Sequence, residues 1–289
     1  MKKYTLLIII LFFLNGCSYI ELNDLGIINT IGIEKQNDTY KMYATIIFED
    51  KDKSKFIELE ENSIQKIIDN LKLSLNKKIY LSHLDLLIIN DTIKNKELEE
   101  IINFFINNND ARNDFLTVFS DNIKDTLSNS TYKEINNLIK INEKETSKAI
   151  YTTMNDIMNN YYNQEPIYLS KVSSKIEGTM MFYHNKYQEF NNDDTIFINY
   201  LINNVHTYKK SFTCHNNKFL YLEIISSRTN YFQNNLIISN EIKIINNECN
   251  LDKKTINKKI NNYLSKNLKK FTNKNIKINN TIRSRYETT

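Results

Sequence analysis

Four glycines and a single proline in 289 residues set the first limit on what this chain can become. Loops that cradle phosphate need several glycines close together, because only there does the backbone turn tightly enough and approach the ligand closely enough. The chain has no such cluster, so nucleotide-binding folds built on glycine-rich loops are set aside. Its abundant residues are Asn, at 46 positions, together with Ile and Lys. That bias reads as the mark of an A/T-rich coding sequence, and the Asn runs read as compositional. With 18 Tyr, 15 Phe and 41% hydrophobic residues, the chain can still bury a sizeable core.

The amino terminus reads as an address. Met1-Lys2-Lys3 is a basic opening, and Tyr4 to Leu14 is an unbroken apolar run, the length of a signal-peptide core and too short to span a bilayer. Leu14-Asn15-Gly16-Cys17 follows, similar to the bacterial lipobox, with Leu at −3, a small residue at −1 and Cys at the first mature position. The reading is a signal peptide over residues 1–16, cleaved before Cys17, whose thiol carries diacylglycerol and whose amino group is acylated. Two or three acyl chains hold a protein on a membrane for long periods. The body is therefore expected on the outer face of the cytoplasmic membrane, with no later stretch apolar enough to span it.

Along the mature chain, Ile27 to Lys35 and Tyr40 to Phe48 read as a hairpin around Gln36-Asn37-Asp38-Thr39. Ser63 to Leu75 and Glu97 to Ile106 place apolar residues at helical spacing, whereas Leu84 to Ile89 and Phe115 to Phe119 read as buried strands. Thr131 to Asn163 reads as one polar helix stopped by Pro166, and the main boundary is placed there, giving domains 17–165 and 166–289. Gly178 to Tyr183 reads as a strand, His184-Asn185-Lys186 as a turn, and Asp193-Asp194 as the start of a helix. Strands at Phe219 to Ser226 and Asn235 to Ile245, a basic helix with Ile256, Ile260, Leu264, Leu268 and Phe271 on one stripe, and a strand through Ile276, Ile278 and Ile282 complete the chain. The fold class expected is α+β, mixed β-sheets flanked by helices, in two or more domains.

No nucleophile-elbow, zinc-protease or phosphate-loop motif occurs, and His83, His184, His206 and His215 are scattered, so neither enzyme chemistry nor a cofactor is expected. His83 and Asp85 stand two apart, on one face if the segment is a strand; such a pair is more often structural than catalytic. Cys214 and Cys249 lack metal or redox spacing, and their pairing is left open. The net charge is only +4, yet Lys253 to Thr289 carries eleven Lys or Arg and one acid, Glu287. That end reads as a solvated helix face, a contact for anionic lipid or an acidic partner, or, least of all outside the cytoplasm, a nucleic-acid site.

Taken in order, these pieces resemble the Ger(x)C family, the lipoprotein C subunits of bacterial spore germinant receptors. The resemblance is carried by Gly16-Cys17 with its acidic connector, Ile31-Gly32-Ile33-Glu34, Tyr80 to Ile89 with Ser82 in the place of a glycine, Asp110 to Phe115, and Gly178 to Phe182 with Asp193-Asp194. The chain departs from the family in reading Cys17-Ser18-Tyr19 where members have Cys-Trp-Asp, in lacking Trp, and in being short between the basic helix and the last strand. The resemblance implies a non-catalytic subunit held at the spore inner membrane by acylated Cys17 beside two membrane-embedded partner subunits, with no nucleic acid bound. Nutrient recognition is expected mainly in a partner. A substrate-binding lipoprotein of an uptake system is the alternative from another class.

Overall fold

The computed structural model describes residues 25–47, 54–108 and 110–283. The chain opens with an antiparallel hairpin, β1 (Leu25–Gln36) and β2 (Thr39–Ile47), turned by Asn37 at positive φ, and β3 (Ser54–Glu61) pairs outside β2. A register shift between Ile28 and Thr30 breaks the two-residue alternation of β1. The bulge lets Ile28, Ile31 and Ile33 all enter the same core.

Helix α1 (Ile64–Leu75) begins where the Ser63 side chain accepts the Lys66 N–H, and it buries Ile64, Ile67, Ile68 and Leu71. It leads to β4 (Lys78–Tyr80) and β5 (Leu86–Ile89), both parallel to β1. Helix α2 (Asn95–Asn107) crosses to β6 (Leu116–Phe119), parallel to β5. Both faces of these short strands are covered. Leu87, Ile89 and Phe119 meet α1 and α2, while Leu86, Ile88 and Val118 meet α3 (Ile123–Asn129) and α4 (Tyr132–Thr146) on the other side. Double coverage explains why β5 and β6 are continuous apolar runs. Helix α3 packs directly on β1: a Cβ added at Gly32 would stand 2.1 Å from Ile123 Cγ2.

The stretch from Thr131 to Asn163 is two helices where one was expected. Ser147 takes a left-handed conformation that ends α4, and a connector runs to α5 (Met154–Tyr162). Tertiary partners compete for that connector: the Thr117 N–H donates to Thr152 O, and Ile150 exchanges hydrogen bonds with the Ser170 hydroxyl. Helix α5 ends at Tyr162, so Pro166 follows the stop and precedes β7 (Ile167–Val172). Strands β7, β8 (Ile176–Tyr183) and β9 (Lys186–Phe190) join the same nine-stranded sheet, in the order β3-β2-β1-β5-β6-β7-β8-β9 with β4 beside β1. The expected division at Pro166 thus falls within the span of this sheet.

Helix α6 (Asn192–Leu201) starts with Asn191 accepting the N–H groups of Asp193 and Asp194, acids that suit the positive end of the helix. A second sheet follows, β10 (Tyr208–Thr213), β11 (Phe219–Phe232), β12 (Asn235–Asn247) and β13 (Asn275–Arg283), in that spatial order, with β13 parallel to β12 across α7 (Lys253–Leu268). Its inner face, Leu220, Leu222, Ile224, Leu236, Ile238 and Ile242, packs against Ile256, Ile260, Leu264 and Leu268 of α7 and Phe197 of α6.

Asparagine turns out to have structural work in two places. Of the ten non-glycine residues at positive φ among the described residues, Asn37, Asn76, Asn185, Asn203, Asn217 and Asn250 supply six, the conformation glycine would otherwise take. In the second core, the Tyr200 hydroxyl lies 3.1 Å from that of Tyr208 and donates to Asn240 Oδ1. Asn240 in turn donates to Asn280, which reaches Asn257 and Asn261. Reading the Asn runs as merely compositional overlooked these positions.

Candidate functional site

Cys17, the one residue to which the sequence assigns a chemical modification, lies outside the described residues. Within them, two stretches that carried the family resemblance converge. The Ser82 to Asp85 connector and the Arg112 to Asp114 approach form a recess of about 200 Å³ with Tyr132 and Tyr151 at the starts of β5 and β6. Backbone bonds pin it: Leu84 N–H to Leu81 O at 3.0 Å, Asp85 N–H to Asn29 O at 2.9 Å, and Leu116 N–H to Asp85 O at 3.0 Å. His83 and Asp85 are therefore not on a strand, because the turn closed at Leu81 delays β5 until Leu86 pairs with Thr30 and Leu116.

The electrostatics of the recess follow from partial burial. Arg112 Nη2 is spent on Asp114 at 2.7 Å. Burial pushes the Asp85 carboxyl above its usual value of 3.8, and the positive charges of His83 and Arg112 pull it back only in part. Burial likewise raises the Tyr132 hydroxyl, reinforced by the charge of Asp85, and the Tyr151 hydroxyl. What these groups offer is hydrogen bonding and charge recognition. An acid with a raised folded-state pKa favours folding below its unfolded pKa and loses that contribution as pH rises through the folded one. Asp85→Asn is thus expected to melt higher than the wild type at pH 7, with the gap closing as the pH falls through the raised folded value toward 3.8. A wild type that melts higher than the variant at pH 7 would show that Asp85 is paired in solution.

A second cluster lies at the far ends of β6 and β7. The Lys171 side chain is only 8% exposed, with Nζ 2.6 Å from Asp121 and 3.0 Å from Glu189. Burial alone would lower its pKa; the hydrogen bonds and charges of the two carboxylates outweigh that and raise it. Three sequence-distant residues make this bridge, and no local pattern announces it. Where the two sheets meet, a cleft of about 730 Å³ opens between Pro166, Tyr168, the end of α6, Tyr231, Phe271 and Lys274.

Cys214 and Cys249, left open by the sequence, form a disulfide with Cα atoms 6.1 Å apart, tying the end of β10 to the connection between β12 and α7. Asp193 and Asp194 serve the α6 start, and Asp193 also meets Lys148 at 3.0 Å. Among the described residues, no helix is long and apolar enough to cross a membrane.

Fold and site together define an α+β protein of two mixed sheets backed by helices, with polar clusters at the ends of interior strands. A family model described as the spore germination protein N-terminal domain matches residues 18–174. The chain belongs to this family of spore germination proteins, the Ger(x)C family that the sequence resembles. The crystal structure of the GerBC protein is similar in fold, with a TM-score of 0.54, 13% identity, and coverage of 88% of this chain and 96% of that one. No curated protein matches the chain.

Proposed function

We propose that the chain is the non-catalytic lipoprotein C subunit of a nutrient germinant receptor, held at the outer face of the spore inner membrane by acylated Cys17 and supporting assembly with two membrane-embedded subunits. The observation that carries this reading is the family match over residues 18–174, placed directly behind Leu14-Asn15-Gly16-Cys17. The disulfide supports it, because such bonds persist in oxidising surroundings outside the cytoplasm.

The test is to purify the tagged protein from detergent-solubilised spore membranes and identify what accompanies it by mass spectrometry. Two polytopic partners found in spores and not in growing cells are expected. Recovery with a transport ATPase from growing cells would replace this reading by that of a substrate-binding lipoprotein. Cys17→Ala is expected to move the folded protein from the membrane to the soluble fraction. A folded variant that stays membrane-bound would remove the lipid from the proposal.

A further inference from the structure

The charge of this chain is divided by position. Residues 253–289 hold eleven basic groups and one acid, whereas residues 17–252 hold 25 basic and 33 acidic groups. The near-neutral mature protein is therefore strongly polar, with its positive pole on α7 and β13.

Helix α7 shows how that pole is presented. Its whole apolar stripe, Ile256, Ile260, Leu264 and Leu268, is buried against the second sheet. The period of 3.6 residues then turns Lys254, Lys258 and Lys266 outward on one face, with Lys269 beside them at the end of the helix, and all four are exposed. Among the described residues, no acidic side chain forms an ion pair with Lys258, Lys266 or Lys269. Asp252 caps the helix by accepting the Thr255 N–H and Lys266 suits the dipole in the last turn, so the helix ends are already served and Lys258 is left facing solvent. The lysine face is thus positive charge held at the surface, and its electrostatic complement is an external negative surface.

We infer that the lysine face of α7 docks on the anionic headgroups of the bilayer. The inference rests on the proposed membrane location and deepens it, by stating which surface of the body meets the membrane. No large apolar side chain of α7 is exposed, so the contact is electrostatic and peripheral, without insertion. The negative remainder of the chain is repelled by the same surface, and the two effects together orient the body.

The test removes the anchor from consideration. The mature-length chain carrying Cys17→Ala is sedimented with vesicles of phosphatidylglycerol and phosphatidylcholine, and with vesicles of phosphatidylcholine alone. Binding to the anionic vesicles only, weakened by added salt, is the expected result. The quadruple variant with Lys254, Lys258, Lys266 and Lys269 changed to Glu is expected to lose affinity by a hundredfold or more, on the order set by four surface charges. A second variant with Gln at the same positions separates lost attraction from repulsion and is expected to lose less. Both variants are checked by circular dichroism and melting, and none of the four side chains packs in the core. Failure of the wild type to bind anionic vesicles, or equal binding by the charge variants, overturns the inference. Tighter retention by nucleic acid than by vesicles overturns it as well. None of these outcomes touches lipidation of Cys17, which the membrane-release experiment reads separately.

Discussion

Gly178→Ala is expected to cost about 3–5 kcal/mol, combining a backbone strain of 1–3 with overpacking of similar size. Gly178 has a positive φ of 143°, a conformation that side chains rarely adopt. A Cβ placed there would lie 2.0 Å from the carbonyl oxygen of Phe190 and 3.0 Å from its carbon, both backbone atoms that cannot rotate aside. The strand containing Gly178 lies between β7 and β9, opposite Lys171, so the strain enters beside the buried ion pair with Asp121 and Glu189. Gly26→Ala is the control. Its Cβ would meet the end of the Ile79 side chain at 3.2 Å, which can give way, and its cost is expected to stay below about 1.5 kcal/mol. Urea unfolding of the two variants measures the difference. Equal midpoints would mean that the β8–β9 pairing is looser than described.

The second large effect concerns the disulfide. Replacing both Cys214 and Cys249 by Ser is expected to lower stability by about 3–4 kcal/mol, because the bond closes a long loop and restricts the unfolded chain. That loop contains β11 and β12, the two longest strands of the second sheet. The loss should therefore appear in the unfolding of the second core. Reductant is expected to shift the wild type to the same midpoint and to leave the double variant unchanged. A wild type indifferent to reductant would mean that the bond is not formed in solution.

Much of the local structure was legible because local forces decide it. Ser63 caps α1 by itself, and Ile64, Ile67, Ile68 and Leu71 recur with the helical period, so that helix could be placed within a residue. The β1–β2 hairpin follows from two β-rich runs around Asn37. Other elements resisted for equally physical reasons. Ser147 and the connector after it are polar and helix-compatible, but bonds from Thr117 and Ser170 pull residues 150–152 out of the helix. Helix α3 is seven residues long, and what holds it is packing on Gly32 rather than a strong pattern of its own. The Asn residues carried no visible signal, because their roles depend on a turn's handedness or on partners such as Tyr200 and Asn280 far along the chain.

For the candidate site the division is similar. The sequence by itself determined the order of elements, the family resemblance and the charge imbalance of the last 37 residues, since each is written in contiguous residue types. Only the tertiary structure decided that His83 and Asp85 leave the strand to share a recess with Arg112, and that Lys171 bridges Asp121 and Glu189. It also decided that Cys214 meets Cys249 and that burial of the α7 stripe turns the lysines outward. These are contacts between residues distant along the chain, and their geometry is set by how the sheets and helices bury apolar surface together, a cooperative outcome that no short window contains.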